Sequence, residues 1–192
     1  HSLFDLRSHL EEAVTSFKRS LPPGVELSFH GEGDLGRLRG SPAHLHQVLG
    51  NLISNGKDAL PAEGGEIRVQ VSTGPATALE GARMDVQEGT PCVRIQVSDN
   101  GRGIPWEAQG RVFDPFFTTR EVGEGTGLGL SVAHGITRSH GGDIDLESEP
   151  GRGTTVTLVF PWHPSESPEE RDGGETGPGT GMPVRILVVD DE

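Results

Sequence analysis

The chain has 192 residues, enough for one well-buried domain of ordinary size with additional segments. Its 16 Lys and Arg against 29 Asp and Glu give a formal net charge of −13, which argues against a nucleic-acid partner because phosphate backbones bind basic surfaces. A small phosphate ligand stays compatible, since it needs only local amides, a cation and one or two basic groups. The one cysteine, Cys92, excludes an internal disulfide and suits a reducing compartment.

The first forty residues predict a helix, a strand and a short second strand. Apolar residues recur at helical spacing from Leu3 to Ser20, and the run Pro22 to Gly24 ends that helix. Apolar and polar residues then alternate from Val25 to His30, which is the period of a half-buried strand. Residues 34–40 predict a turn and a short strand.

The next helix carries the first candidate site. It is predicted to begin at Ser41 and to run to about Leu60, because a capping hydroxyl is followed directly by a proline. At about 100° per residue, Asn51, Asn55 and Asp58 form a polar stripe beside the apolar face. Two amides and a carboxylate on one stripe could hold a hydrated metal ion. A solvated polar face is the alternative, but asparagine is a mediocre helix former, and two of them one turn apart favour a function.

The middle and end of the chain predict four further strands, one short helix and one longer helix. Residues 73–91 are rich in Gly, Pro, Ala and Thr without a sustained period, and we interpret them as a surface excursion without chemistry. A short helix is expected to end near Phe113. The predicted strands are 66–72, 92–98 and the hairpin 143–148 and 154–160, and the predicted helix contains residues 130–137.

The stretch from Asp99 to Pro105 follows the strand 92–98 and is the second candidate site. A carboxylate only accepts hydrogen bonds, so Asp99 at a strand end could take a hydrogen from the amine of an adenine. Gly101 and Gly103 lack a Cβ and let backbone lie close against a flat ring or turn with positive φ. A tight Asp-Asn-Gly turn is the alternative.

A glycine-punctuated loop is the third candidate site. Residues 121–130 hold four glycines and lead into the predicted helix, so free amides at a helix start would face an anion. The loop is neither a Walker loop nor a dinucleotide fingerprint, and a flexible linker is the alternative. Three phenylalanines, Phe113, Phe116 and Phe117, precede it; they suggest an apolar anchor for one end of the loop, or simple core packing.

These motifs occur in the order Asn51 and Asn55, Asp99-x-Gly-x-Gly, the Phe-rich stretch 113–120 and the Gly-x-Gly-x-Gly loop, and together they resemble the catalytic ATP-binding domain of sensor histidine kinases. The runs Phe-Asp-Pro-Phe-Phe-Thr-Thr-Arg and Gly-Thr-Gly-Leu-Gly-Leu-Ser are similar to those of the nitrogen-regulation and hybrid types. The resemblance implies an α/β (α+β) two-layer sandwich, the Bergerat ATP-binding fold, with a mixed sheet covered on one face by helices.

The resemblance also implies a site. Asn55 would ligate Mg²⁺ with the assistance of Asn51, Asp99 would accept from the adenine amino group, and Thr154 would hold the adenine edge. Asn51 and Arg120 are the implied catalytic residues, with Arg120 a candidate contact of the γ-phosphate. The implied ATP-binding set is Asn51, Asn55, Asp58, Asp99, Gly101, Gly103, Thr119, Arg120, Gly125, Thr126, Gly127, Leu128, Gly129 and Thr154.

Three departures from the family pattern bear on the reaction. Asn51 stands where related gyrase and chaperone ATPases have a glutamate that activates water, and an amide cannot act as that base. Asp58 and Ala59 stand where many of these kinases have a Lys-Tyr pair. No phosphoacceptor histidine motif is present, since His9 and His46 have other contexts. The expected function is therefore transfer of the ATP γ-phosphate to a histidine of a separate dimerisation domain, with a nucleotide-binding module without phosphotransfer and a hydrolysing ATPase as alternatives.

The end of the chain predicts a linker and the start of another domain. Residues 162–183 have the composition of a disordered acidic linker. Residues 184–192 are either a stray strand with an acidic tail or, by their resemblance, the first strand of a receiver domain. The expected layout is thus a catalytic domain over 1–161, a linker and a truncated receiver domain.

The expected partners are the histidine-bearing domain and a receiver domain or response regulator. No membrane span or signal peptide is predicted, so the segment is expected to be soluble and cytoplasmic. His1 opens the sequence without a Met, which suggests an excised piece of a longer, homodimeric protein with any sensor or membrane portion upstream. By itself the piece is expected to be a monomer.

Overall fold

A mixed five-stranded sheet is the centre of the molecule. The computed structural model describes residues 2–119 and 126–162. The elements in chain order are β1 (Ser2–Asp5), α1 (Leu6–Lys18), β2 (Val25–Gly31), β3 (Arg37–Gly40), α2 (Pro42–Ala59), β4 (Gly65–Pro75), α3 (Ala78–Met84), β5 (Pro91–Asp99), α4 (Trp106–Gln109), α5 (Gly129–Ser139), β6 (Asp143–Glu149) and β7 (Gly153–Pro161). The sheet order is β2-β4-β5-β7-β6, and β1 pairs separately with β3.

The alternation of residues along the strands decides which face the long helices cover. β2 and β4 are parallel, while the other neighbours are antiparallel, with Val69 opposite Val97 and Val97 opposite Val156. These side chains point to the same face and belong to one core together with residues of α1, α2 and α5. The predicted two-layer arrangement of a mixed sheet under helices is confirmed.

Helix α2 has the bounds and the buried face that its sequence predicts. The Ser41 hydroxyl accepts from the His44 amide at 3.4 Å, and Pro42 occupies the first helical turn. This cap satisfies a backbone donor that has no partner within the helix. The buried residues are Leu45, Val48, Leu49, Leu52, Ile53 and Gly56.

Helix α3 lies within residues 73–91, where the sequence pattern predicts no helix. Thr77 and Glu80 form a reciprocal capping box at its start. Its Met84 packs with Cys92 and Val159 in a second, smaller cluster. Because neighbouring residues of β5 and β7 belong to the main core, α3 covers the opposite face of the sheet near one end.

The first helix begins later than predicted. Ser2–Asp5 forms β1, with Leu3 opposite Arg39 of β3, and the Asp5 carboxylate caps α1 by accepting from the Ser8 amide at 2.8 Å. Pairing with a strand more than thirty residues away competes with the helical pattern, so the helix starts at Leu6. Apart from Trp162, the predicted linker 162–183 lies outside the described residues, and so does the predicted strand 184–192. Within the described part, no helix is both long and apolar enough to cross a bilayer.

Candidate functional site

One cavity of about 280 Å³ lies between α2, the end of β5, the segment that follows β5 and the start of α5. Its walls combine apolar side chains with a few polar ones, as in sites for small organic ligands. The apolar part is supplied by Leu52, Ala59, Val97, Ile104, Val112, Phe117, Leu130, Leu146 and Val156.

The polar stripe of α2 faces this cavity. Asn51, Asn55 and Asp58 all line it, because the stripe adjoins the buried face of the helix. The side-chain oxygen and nitrogen of Asn55 would each lie 3.5 Å from a Cβ added to Gly129. The polar stripe therefore lies against Gly129, the first residue of α5. The Asp58 carboxylate is also 3.3 Å from Lys57 Nζ.

Asp99 ends β5 at the floor of the cavity. Its Oδ1 accepts from the Gly101 amide at 2.9 Å, and its backbone pairs with that of Thr154 on β7. Burial raises the pKa of Asp99 above its ordinary value, while the amides of Gly101 and Thr154 oppose that shift by donating to the carboxylate. The acidic group is thus partly desolvated at a concave surface, which is a common property of ligand-binding carboxylates.

The glycines after Asp99 are required by contacts within the protein. A Cβ on Gly101 would lie 2.5 Å from the Ala59 carbonyl oxygen. Gly103 has a φ of +67°, and its Cβ would lie 2.2 Å from the Glu149 carbonyl oxygen. Gly103 lines the cavity, whereas Gly101 reaches Asp99 through its amide. Both glycines let the loop close against α2 and the β6–β7 turn.

The start of α5 is an uncapped helix end beside the cavity. Among the described residues no side chain caps it at Leu128, and Gly127 and Gly129 line the cavity. Its free amides and the positive end of the helix dipole favour an anion. Gly127 has a φ of +63° and its carbonyl accepts from the Phe116 amide at 3.0 Å.

The three phenylalanines have three different environments. Phe113 packs against the main core, which fits both the anchoring and the core-packing interpretation. Phe117 lines the cavity and lies under the Arg111 guanidinium, 4.7 Å from the ring centroid. Phe116 is 75% exposed, so an apolar anchor made of all three rings is not observed.

The cavity brings together residues from distant parts of the chain. Leu128 directly precedes α5 and does not line the cavity, and Arg120 and Gly125 fall outside the described residues. The predicted residues that line the cavity are Asn51, Asn55, Asp58, Asp99, Gly103, Thr119, Thr126, Gly127, Gly129 and Thr154.

Three residues in or behind the site, Arg102, Gln109 and Ser148, are not among those that the sequence predicts. Arg102 lines the cavity and is exposed; its charge within the glycine motif could have drawn attention to it. Gln109 and Ser148 contact the loop after Asp99 from behind. Gln109 on α4 and Ser148 on β6 lie 39 residues apart in the chain and become adjacent only in the folded structure, so a linear pattern cannot link them.

This arrangement can hold a flat base with an exposed amine at one end and phosphates at the other. The Asp99 carboxylate offers an acceptor beside apolar walls, and the start of α5 offers amides. Across the described ranges, no group of three or more His, Cys, Asp or Glu side chains is placed to hold a metal ion. A cation here would draw on at most one or two such side chains, together with amide oxygens, water and the ligand itself.

Comparisons with known proteins agree with this geometry. Residues 40–164 match the family model described as histidine kinase-, DNA gyrase B-, and HSP90-like ATPase. The chain is 38% identical over 160 residues to sensor kinase CckA of Brucella abortus, covering 83% of this chain and 17% of that protein. It is 38% identical over 151 residues to sensory histidine kinase/phosphatase NtrB of Escherichia coli O157:H7, covering 79% and 41%.

The fold also has a solved counterpart. The catalytic domain of histidine kinase ThkA superimposes with a TM-score of 0.64 at 26% identity, covering 83% of this chain and 94% of that one. The chain spans 17% and 41% of the length of the two relatives CckA and NtrB.

Proposed function

This chain belongs to the histidine kinase-, DNA gyrase B- and HSP90-like ATPase family, and we propose that it binds ATP with Mg²⁺ and presents the γ-phosphate to a histidine of a separate domain. Its relatives are named sensor kinases, and the chain is the catalytic ATP-binding part of such an enzyme. The transfer step, the metal and the individual site residues are the parts that we infer.

The observation that carries the proposal is the meeting of three features in one cavity. The acceptor Asp99, the amide stripe of Asn51 and Asn55, and the uncapped start of α5 surround the same 280 Å³. We assign the Asp99 end to the base and the α5 end to the phosphates. The Asp99 carboxylate accepts hydrogen bonds, as the amine of a base requires, whereas the amides at the start of α5 favour an anion such as phosphate. The opposite electrostatic character of the two ends supports this assignment.

The amide stripe fits a hard cation that the nucleotide brings with it. Mg²⁺ prefers oxygen ligands, keeps several waters and is commonly held by one or two protein groups together with phosphates. Asn55 would supply an amide oxygen and Asn51 would support it, since both adjoin Gly129 at the start of α5. When bound, the cation would neutralise phosphate charge.

The residues of this chain contribute mainly by position and charge. In phosphoryl transfer the protein aligns the attacking and leaving groups and stabilises charge on the equatorial oxygens. The amides at the start of α5 and the proposed contacts from Thr119, Thr126 and Arg120 serve that role. Asn51 cannot take a proton from water, so the incoming nucleophile is a histidine imidazole rather than water.

The wider context is also part of the proposal. Residues 1–161 form the catalytic domain, 162–183 a linker and 184–192 the first strand of a receiver domain of a hybrid kinase. The partners are the helical dimerisation domain with the acceptor histidine and a receiver domain or response regulator. The full-length protein acts as a homodimer, with this domain in the cytoplasm.

The test is a phosphotransfer assay with a histidine-bearing helical domain added to this chain. With ATP labelled at the γ-phosphate, we expect acid-labile, base-stable label on the added domain and none on this chain alone. Binding of ATP without any label on the helical domain would favour a regulatory module. Fast release of free phosphate by this chain alone would favour a hydrolysing ATPase.

A further inference from the structure

The hydroxyl of Ser148 is the centre of a hydrogen-bonded network behind the cavity. Its Oγ accepts from the Ile104 amide at 2.9 Å and donates to the Gly153 carbonyl at 3.0 Å. The same Oγ lies 3.0 Å from the Oγ1 of Thr154. Gln109 supports the arrangement, because its Nε2 donates to the carbonyls of Ile104 and Ser148, each at 2.9 Å.

The donor and acceptor count of this network assigns the direction of the last hydrogen bond. A serine hydroxyl has one hydrogen and two lone pairs. A carbonyl only accepts, so the Ser148 hydrogen goes to Gly153. An amide only donates, so Ile104 occupies one lone pair. When all three contacts form at once, the hydrogen between the two hydroxyls comes from Thr154.

This assignment decides what Thr154 can offer to a ligand. Thr154 lines the cavity, and with its hydrogen committed to Ser148 its oxygen presents only lone pairs. Asp99, its partner in the strand register, also accepts when ionised. Two acceptors thus lie side by side at the base end of the cavity.

We propose that Ser148 is a positioning residue that makes Thr154 an acceptor and thereby selects a base with an amino group, such as adenine, over a base with an oxo group at the same position. This inference rests on the proposed function, that the cavity takes a purine nucleotide. An oxo group facing these two acceptors would receive a hydrogen from neither of them, which is costly in a desolvated site. The amino group of adenine supplies hydrogens.

The experiment compares ATP with inosine triphosphate, whose base carries an oxo group in place of the amino group and a hydrogen on the adjacent ring nitrogen N1. Dissociation constants of both are measured by calorimetry with Mg²⁺ for the 192-residue chain and for Ser148→Ala. Without Ser148 the Thr154 hydroxyl can turn and donate, so the ratio of the inosine to the adenosine constant is expected to fall about fivefold, the size of one ordinary hydrogen bond. Ser148→Thr retains the hydroxyl and should restore the ratio.

A second variant keeps the inference testable if Ser148→Ala unfolds. Thr154→Val removes the hydroxyl itself, so it should lower the ratio by a similar factor, and Ser148→Ala added to it should change the ratio no further. Thr155→Ala is the matched control, because alternation along β7 places that side chain on the other face of the sheet, and it should leave the ratio unchanged.

The outcomes separate this inference from the proposed function. If the wild-type chain binds ATP but Ser148→Ala weakens both nucleotides equally, Ser148 is only a structural support and the inference is wrong. If the wild-type chain binds neither nucleotide, the proposed function itself is wrong, and the inference that rests on it is wrong too.

Discussion

The two ends of β5 place carboxylates in opposite environments. At one end Arg94 binds Glu80 of α3 through two short hydrogen bonds of 2.7 and 2.6 Å. That contact, chiefly its hydrogen bonds to the guanidinium, lowers the pKa of Glu80 to about 2. At the other end, within the described ranges, Asp99 forms no ion pair, and burial raises its pKa.

This contrast distinguishes a structural carboxylate from a binding one. Glu80 is ionised and satisfied by the protein, so its charge fastens α3 to the sheet. Within the described part of the chain, the Asp99 carboxylate accepts only from backbone amides, and it lines a cavity. It therefore retains acceptor capacity for a ligand at a cost in folding stability. Mutations at the two ends should therefore separate stability from nucleotide affinity.

The largest expected effect is on ATP affinity. Asp99→Asn keeps one side-chain oxygen that can accept from the Gly101 amide. The second oxygen becomes an NH2 group, which donates, and the negative charge is lost. Hydrogen bonds to charged groups contribute about 1.5–3 kcal/mol, so the dissociation constant for ATP should rise roughly 10- to 100-fold. Calorimetry measures it. Asp145→Asn is the control, since that exposed carboxylate on β6 has only a weak contact at 3.7 Å and should not alter affinity.

The next effect is on stability. Glu80→Gln removes the charge that Arg94 and the α3 capping box share, and should lower the free energy of unfolding by about 2 kcal/mol. ATP affinity should stay within about twofold, because α3 is not among the cavity-lining elements. Glu66→Gln is a matched control: Glu66 pairs with Arg68 at 2.8 Å, but both side chains are over 40% exposed, so the loss should be below about 1 kcal/mol. Equal losses of unfolding free energy in Glu80→Gln and Glu66→Gln would contradict the distinction between the Glu80–Arg94 and Glu66–Arg68 ion pairs.

The pH dependence of that stability follows from the lowered pKa of Glu80. The pair stabilises the fold above the ordinary value of 4.5, and this contribution is lost as pH falls toward about 2. Chemical denaturation of the wild-type chain and of Glu80→Gln should give free energies that converge over this window. A constant difference down to the acid end would mean that the glutamate charge is not what stabilises the contact.

The smallest effect is a gain in stability from the mutation that weakens binding. Because the pKa of Asp99 is raised in the folded chain, ionisation of Asp99 opposes folding as pH rises through that pKa. Asp99→Asn removes this penalty, so its melting midpoint near neutral pH should be slightly higher than that of the wild type. The gain should disappear in acid, where Asp99 is protonated in both states. A lower midpoint would show that the carboxylate is structural after all.

Much of this architecture could be predicted from sequence because its signals are local. The α2 cap at Ser41 and the alternation in β5 depend on neighbouring residues, and both are observed. β1 is only four residues long and is determined by its pairing with β3, so its helical pattern misled the prediction. α3 did carry a local signal, the Thr77 and Glu80 capping box, within a stretch whose composition is typical of a loop.

The site was predictable only in part for the same reason. Asn55 and Asp99 stand out by residue type and position. The requirement for Gly101 comes from the backbone of Ala59, and the network of Ser148 depends on a hairpin that brings β6 beside β7. Contacts of that kind are set by tertiary packing, which a linear pattern does not contain.

The central claim is that ATP binds here with a cation held by the amide stripe of α2. Calorimetric titration of the 192-residue chain with ATP, with Mg²⁺ and with a chelator, tests it for the wild type, for Asn55→Ala and for the control Gln47→Ala, an exposed amide on the same helix. We expect one site whose affinity falls when Mg²⁺ is removed, loss of that dependence in Asn55→Ala, and wild-type behaviour in Gln47→Ala. Absence of binding by the wild-type chain, or an unchanged Mg²⁺ dependence in Asn55→Ala, would contradict the account.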